Sequence, residues 1–545
     1  MKDRIIKTNA IFYVIVIIVT ITLSSRGILD SSLGYPDADR ILMDGVFIHD
    51  FLHDIPLSDI YGYTISYYGQ YPALSIGYRP PFFPFIEAVF NTVFGVNMWS
   101  SRLALLAFAL VGATAWFALI QRMFDGLTAF FSTLLLMTLP FVAKWGWYTM
   151  GELPLLSMSM LTLYLFYRYI ETNSAKHLFL TALSFSATVW TKQTAFYLAF
   201  FFLLYLVQQG QLVPRIKESK TWGAVALVLA ALIPLALITL WLGDQNLAQS
   251  IGKGLEGKSP WLLRWERLPE HFTNIVHYQT TPPFLLLVLF GMALSVVTRE
   301  KKSIFFALFI LVTFLFFSYV IHKNERYTIF WLPAFALFAA LPLYIFRRKP
   351  MWRNLFITVL VVVAAWDTYQ VYAKAPNHAT GYDAAAAFVL KNSRSPTVMV
   401  DAYNNGYFIY FMRALDPERG MYVLRADKLL TSSSIGYHNR LSIHVKNREG
   451  IRALLDRYGI ELIVVESRDR SGIQIHQEFR HYLEEGPFDE LTRIPVKSNR
   501  PPLMDQELVV YRYRDYKPAK GGILELHLPV VGQTIRVPLR PEPKQ

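Results

Sequence analysis

His322-Lys323-Asn324-Glu325-Arg326-Tyr327 sets three basic side chains and one carboxylate between two apolar runs, roughly 303–321 and 328–346. Each run is about the length a helix needs to cross a bilayer. A connection that only had to turn would be served by Gly, Ser and Asn. Arg, Lys and His are instead the groups that hold phosphate. Further ionisable residues recur at comparable places. Asp37 and Asp39 follow the first apolar run, and Arg79 lies in the same loop. Glu152 begins the fourth run, Lys192 falls between the fifth and sixth, and Arg326 precedes the tenth. Ionisable side chains at membrane level are expensive and commonly functional. Each one alone is also an ordinary loop charge. Acids and bases gathered on one side point to a site.

The elements that must position these residues are apolar helices. Of 545 residues, 53% are hydrophobic and only 17% charged, below the usual quarter for a soluble protein. Apolar runs near 11–25, 101–120, 126–141, 153–167, 177–190, 194–207, 221–242, 283–298, 303–321, 328–346 and 354–372 predict about eleven spanning helices, several of them short for the hydrocarbon core. The net charge of +13 is distributed in a way that argues against nucleic acid. Lys2, Arg4 and Lys7 precede the first run; Arg215, Lys217 and Lys220, then Arg299, Lys301 and Lys302, then Arg347, Arg348, Lys349 and Arg353 fill later connections. Threading eleven helices puts all four clusters on one side, which the positive-inside rule makes cytoplasmic. The N-terminus is then cytoplasmic in a multi-pass cell-membrane protein, with the first run an uncleaved anchor. The absence of cysteine excludes disulfides, thiolate catalysis and Cys-ligated zinc.

With that topology the chemically suggestive residues are extracytoplasmic. The predicted layout is a membrane domain over 1–375 with a large first outer loop at 26–100, then a soluble extracytoplasmic α/β domain over 376–545. Ile41, Phe47 and Phe51 have helical spacing within 38–54, which suits a helix lying along the membrane interface. Tyr78-Arg79-Pro80-Pro81 breaks the chain before another apolar segment at 82–95. Outer loop 243–282 mixes Trp261, Arg264, Trp265, Arg267, His271 and His277, a composition typical of an interfacial segment. In the tail, Thr397–Val400 and Leu462–Glu466 read as strands, 448–458 as a helix, and 505–538 as β-rich.

Read in order, several short motifs resemble a known superfamily. They are Tyr35-Pro36-Asp37-Ala38-Asp39-Arg40, Arg79-Pro80-Pro81-Phe82, Phe94-Gly95 with Ser101-Arg102-Leu103, Gly151-Glu152-Leu153-Pro154, Thr191-Lys192 and the hexapeptide 322–327. The series resembles the polytopic GT-C glycosyltransferases, in particular the protein O-mannosyltransferase and aminoarabinose transferase branch (glycosyltransferase family 39). The resemblance covers roughly residues 1–370. It implies a GT-C fold and an enzyme of cell-envelope glycosylation that takes a sugar from a polyprenyl-phosphate-linked donor. The acceptor would be a lipid, glycan or protein outside the cytoplasm, and the partners implied are donor, acceptor and membrane, with no nucleic acid.

The resemblance also implies roles. Asp37 matches the first-loop acid, the general base toward the acceptor hydroxyl. Asp39 either shares that work or holds Arg40. Arg79 and Arg326 match donor phosphate-binding positions, where cations surround the charge that develops on the leaving phosphate. Arg79 reads equally as a loop Arg capping local carbonyls. Lys192, Lys323 and His322 join the phosphate set, and Lys323 and His322 read equally as helix-end cations that snorkel. Glu152 matches an acid that holds acceptor or sugar, and also suits the first turn of a helix. Attack opposite to departure implies inversion at the anomeric carbon. One departure concerns metal. The aminoarabinose transferases carry an acid where this chain has Tyr78, so no metal ligand set is assigned, no cofactor is required, and a divalent metal stays open. The second member of the family's acidic pair, commonly Glu, is Ala38 here. Two other classes remain: a flippase for a lipid-linked glycan, expected to bury its charges near the bilayer midplane, and a non-catalytic envelope scaffold. Charges gathered at one surface favour the enzyme.

Overall fold

A computed structural model of the chain describes residues 2–75, 78–242, 265–320, 323–433, 441–519, 522–528 and 533–539. The chain is mainly helical and divides into two compact units. One comprises Met1–Ile28, Gly77–Phe83 and Ser101–Pro376; the other comprises Leu29–Ile76, Pro84–Ser100 and Asn377–Gln545.

In the first unit every one of the predicted apolar runs falls on a helix. Among the described residues five helices are long and apolar enough to cross a membrane: Met98–Met123, Glu152–Thr172, Ser219–Leu240, Glu325–Ile345 and Pro350–Ala373. A sixth results if the pair Gly126–Thr138 and Pro140–Trp147, bent by 61°, is one broken span. The bend has a local cause, since Leu139 precedes Pro140 and takes extended backbone (φ −56°, ψ 125°), the conformation a following proline imposes. Helices of 17 residues or fewer, such as Pro282–Val297 and Ser303–Tyr319, fall short of the length criterion, so the expected count of about eleven exceeds what length and composition establish. Close helix packing depends on small residues. A Cβ on Gly291 would lie 1.8 Å from the Phe338 carbonyl oxygen, so only glycine lets these two backbones approach.

The second unit carries all nine strands found among the described residues: β1 (Thr397–Asp401), β2 (Tyr422–Arg425), β3 (Thr431–Ser432), β4 (Ser442–Ile443), β5 (Leu462–Glu466), β6 (Phe488–Val496), β7 (Gln506–Tyr513), β8 (Gly522–Leu528) and β9 (Gln533–Leu539). The main sheet runs β2-β1-β5-β7-β6. Strand β1 pairs in parallel with β2 and β5, while β7 is antiparallel to both β5 and β6. Strands β1 and β5 are buried along their whole length, which explains their unbroken apolar sequences. Helix Arg448–Tyr458 begins where Asn447 accepts from the Gly450 amide at 3.0 Å and ends at left-handed Gly459, a paired start and stop signal.

First-loop helix Ala38–Asp54 belongs to this same unit. The helix is where its periodicity predicts it, and it packs within this unit. Ten of its 17 residues are buried, Asp39, Asp44 and Asp50 among them. The tail supplies counter-charges to Asp50 and Asp54. Arg413 Nε and Nη2 donate to the two Asp50 oxygens at 2.8 and 2.5 Å, and Arg419 pairs with Asp54.

Candidate active site

Glu152, Lys192, Arg326 and Arg79 come together in the helical unit. Glu152 opens helix Glu152–Thr172 directly after Gly151. Lys192 sits where helix Ala175–Thr191 stops, its backbone extended (φ −162°, ψ 131°) before the turn Gln193–Phe196. Arg326 lies in the tight-helical segment Glu325–Trp331, opened by Asn324, whose side chain accepts from the Arg326 amide at 3.1 Å.

Glu152 is 1% exposed. Its Oε1 accepts from Lys192 Nζ at 2.8 Å and faces Arg326 Nε at 3.7 Å. Arg79 lies within electrostatic reach of the same carboxylate. Tyr327 brackets the cations, with its ring centroid 5.1 Å from Lys192 Nζ and 5.2 Å from the Arg326 guanidinium carbon, a cation–π arrangement. Glu152 Oε2 is buried and has no hydrogen-bond partner among the described residues. The cluster thus holds more positive than negative charge around one carboxylate with an open acceptor oxygen. Such a set can bind an anion and hold a hydroxyl.

Lys323 and Glu325 of the hexapeptide make local contacts of their own. Lys323 is buried, and its ammonium donates to the carbonyls of Phe317 at 2.8 Å, Ser318 at 2.7 Å and Val320. It caps the C-terminal end of helix Ser303–Tyr319, where a cation is favoured. His322 lies outside the described residues. Glu325 faces Lys144 at 3.9 Å. A residue that the sequence does not single out does much of the anchoring. Buried Gln279 donates to the Glu325 carbonyl at 2.6 Å and to Thr328 Oγ1 at 2.7 Å, and accepts from Trp331 Nε1 at 2.7 Å. It ends a short π-helix, Ile275–Gln279, a rare geometry concentrated at functional sites. No spacing marks it in the sequence beyond its place just before Thr280-Thr281-Pro282.

His271 is buried against Phe314 and Trp331, with ring centroids 5.7 and 5.8 Å away. Burial and the nearby Lys323 charge push its pKa down to about 4, so the imidazole is neutral. His277 is exposed. Among the described residues no group of three or more His, Asp or Glu is placed to hold a metal ion.

The first-loop acids lie in the other unit. Asp37 occupies the N-cap position of helix Ala38–Asp54, half-buried, with no side-chain capping bond. Asp39 is 2% exposed. Its Oδ1 accepts from the Arg40 amide at 2.6 Å and lies 3.7 Å from Arg40 Nε. Arg40 continues to the Pro72 carbonyl and to Asn405 Oδ1, both at 3.1 Å. Asp39 is therefore engaged in holding Arg40, while Asp37 keeps contact with solvent.

Residues 78–238 match the family model described as dolichyl-phosphate-mannose-protein mannosyltransferase; this stretch includes Arg79, Glu152 and Lys192. No curated protein sequence matches the chain. Among solved structures, it is similar to ArnT from Cupriavidus metallidurans bound to undecaprenyl phosphate, with a TM-score of 0.56, 13% identity, and 92% of this chain and 97% of that one covered. It is also similar to the oligosaccharyltransferase AglB from Archaeoglobus fulgidus in complex with an inhibitory peptide and a dolichol-phosphate, with a TM-score of 0.54, 12% identity, and coverage of 84% and 69%. At these identities the likeness is one of fold.

Proposed function

From the premise that this chain has the GT-C glycosyltransferase fold, we propose that it transfers a sugar from a polyprenyl-phosphate-linked donor to a hydroxyl acceptor outside the cytoplasm. The observation that carries the reading is the cluster of buried Glu152 with Lys192 and Arg326, and Arg79 within electrostatic reach. Excess positive charge around one carboxylate suits a phosphate that gains charge as it leaves. The matched family and both neighbours are named for, or bound to, a polyprenyl or dolichyl phosphate.

In the proposed reaction the acceptor oxygen attacks the anomeric carbon as its proton passes to the Asp37 carboxylate. The bond between that carbon and the phosphate oxygen breaks, and polyprenyl phosphate departs as an anion met by Arg326, Arg79 and Lys192. Its departure as an anion removes the need for a strong general acid. Attack opposite to departure inverts the anomeric centre. Glu152 keeps Lys192 and Arg326 in register and offers Oε2 to a sugar or acceptor hydroxyl. Asp37 is assigned the base role because it is half-exposed, whereas Asp39 is buried on Arg40. Lys323 anchors the hexapeptide rather than contacting phosphate. The N-terminus is cytoplasmic, and the site and tail face the other side.

The test is transfer of labelled sugars from synthetic polyprenyl-phosphate donors by the purified chain in proteoliposomes, with the acceptor class identified by extraction. Transfer dependent on Arg326 and Asp37 is expected. A chain that moves intact lipid-linked sugar across the bilayer without breaking the sugar–phosphate bond would overturn the reading.

A further inference from the structure

Asp37 is gripped on both sides by consecutive residues of the soluble tail. Two residues before it, the Tyr35 carbonyl accepts from the Tyr407 hydroxyl at 2.9 Å. Two residues after it, the Asp39 carboxylate fills the space a side chain would need at position 406. A Cβ on Gly406 would stand 2.0 Å from Asp39 Oδ2. Asn405 receives Arg40 Nη2 at 3.1 Å. These three consecutive residues open the tail helix Asn405–Leu415. Further along the same helix Arg413 clamps Asp50 with two hydrogen bonds, and Tyr67 donates to Asp50 at 2.7 Å. Asp50 and Arg413 are 2% and 5% exposed, so this pair is dry and directional.

We propose that Gly406 and Tyr407 are positioning residues for the Asp37 carboxylate, so that the soluble tail sets the aim of the proposed base. This rests on the reading of Asp37 as base. Gly406 acts by absence, because only glycine leaves room for Asp39 to sit against the start of the tail helix. Tyr407 fixes the turn on the other side through one hydroxyl. With both ends of the 35–39 turn held, the residue between them has little freedom to wander. A misplacement of about 1 Å at a reacting group can lower a rate roughly 100-fold.

The experiment uses the full chain in proteoliposomes with a synthetic polyprenyl-phosphate sugar donor. It measures the transfer rate at saturating donor and, separately, the affinity for the matching polyprenyl phosphate. Gly406→Ala is expected to lower the rate at least about tenfold and to leave phosphate affinity within about twofold of the parent. Tyr407→Phe deletes one oxygen from a buried ring and is the variant that tolerates folding best; it should show the same pattern with a smaller loss. In an Asp37→Asn background, neither change should reduce the residual rate further, because residues acting as a unit are non-additive. A parental rate in both single variants, losses that multiply with Asp37→Asn, or a matching fall in phosphate affinity would overturn the proposal. Parental turnover by Asp37→Asn alone would instead remove the base assignment, so the two failures are told apart.

Discussion

Lys192 Nζ donates to Glu152 Oε1 at 2.8 Å, and Arg326 Nε faces the same oxygen at 3.7 Å. One carboxylate oxygen therefore fixes the spacing of two cations drawn from different parts of the chain. Glu152→Gln keeps the shape but removes the charge that holds the cations together. Transfer should fall by about 100- to 1000-fold, the usual effect of disturbing a preorganised charge-stabilising group, with membrane insertion intact. Glu152→Ala should also lower thermal stability by about 1.5–3 kcal/mol, since it strands charged hydrogen-bond donors. Rate assays and melting curves on the same preparations check both.

Arg326 and Lys323 are neighbours in sequence with different predicted consequences. Arg326→Ala should weaken polyprenyl phosphate binding by about 10- to 100-fold, equivalent to a charged hydrogen bond of roughly 1.5–3 kcal/mol. Arg326→Lys should recover only part, because lysine keeps the charge but not the planar fork. Lys323→Met should act mainly on melting temperature, since the Lys323 ammonium is held by the carbonyls of Phe317, Ser318 and Val320. A titration of labelled polyprenyl phosphate against each variant separates the two roles. Equal losses of affinity in Arg326→Ala and Lys323→Met would contradict the division.

The helices of the membrane unit were legible because apolar runs in this chain are long and their ends are marked by charge. Strands β1 and β5 were legible as short apolar runs between turn residues. Glu152, Lys192 and Arg326 stood out because a charge beside an apolar run has few cheap explanations. Gln279 did not, because an uncharged amide in an aromatic loop has no distinguishing spacing. Its importance comes from three hydrogen bonds made by residues 46 to 52 positions away. The partnership of the first loop with the tail was also hidden. Arg413 and Asp50 are 363 residues apart, and only tertiary structure shows that Asp50 and Asp54 are answered by tail arginines.

Asp37 and Asp39 are separable by experiment. Asp37→Asn should leave only a small residual transfer rate while phosphate affinity stays near the parent, because Asp37 is the proposed base and is not one of the phosphate-binding cations. Asp39→Asn should lower melting temperature, because Asp39 is buried and holds both the backbone amide and the guanidinium of Arg40. Its rate should fall less than that of Asp37→Asn. The reverse order of rates would move the base to Asp39.

The tail carries a pH-dependent contribution centred on His476. The imidazole is fully buried, with Nδ1 3.2 Å from Asp401 Oδ1 and Nε2 3.1 Å from Thr431 Oγ1. Arg480 donates to the other Asp401 oxygen at 2.5 Å. Burial pulls the His476 pKa down, but the Asp401 carboxylate, helped by Asp427 and opposed by Arg480, holds it above the ordinary value. A folded value above the unfolded one means the imidazolium stabilises the fold fully below about pH 6.5. That contribution is lost as pH rises through the folded value, because the unfolded chain has already released its proton. Melting curves of the full chain between about pH 5.5 and 8.5 should therefore show tail stability falling on the alkaline side. His476→Gln should flatten this part of the profile while retaining a polar group for Thr431. An unchanged slope in that variant would mean the imidazole binds its proton equally in the folded and unfolded chain, and that Asp401 is balanced by Arg480 alone.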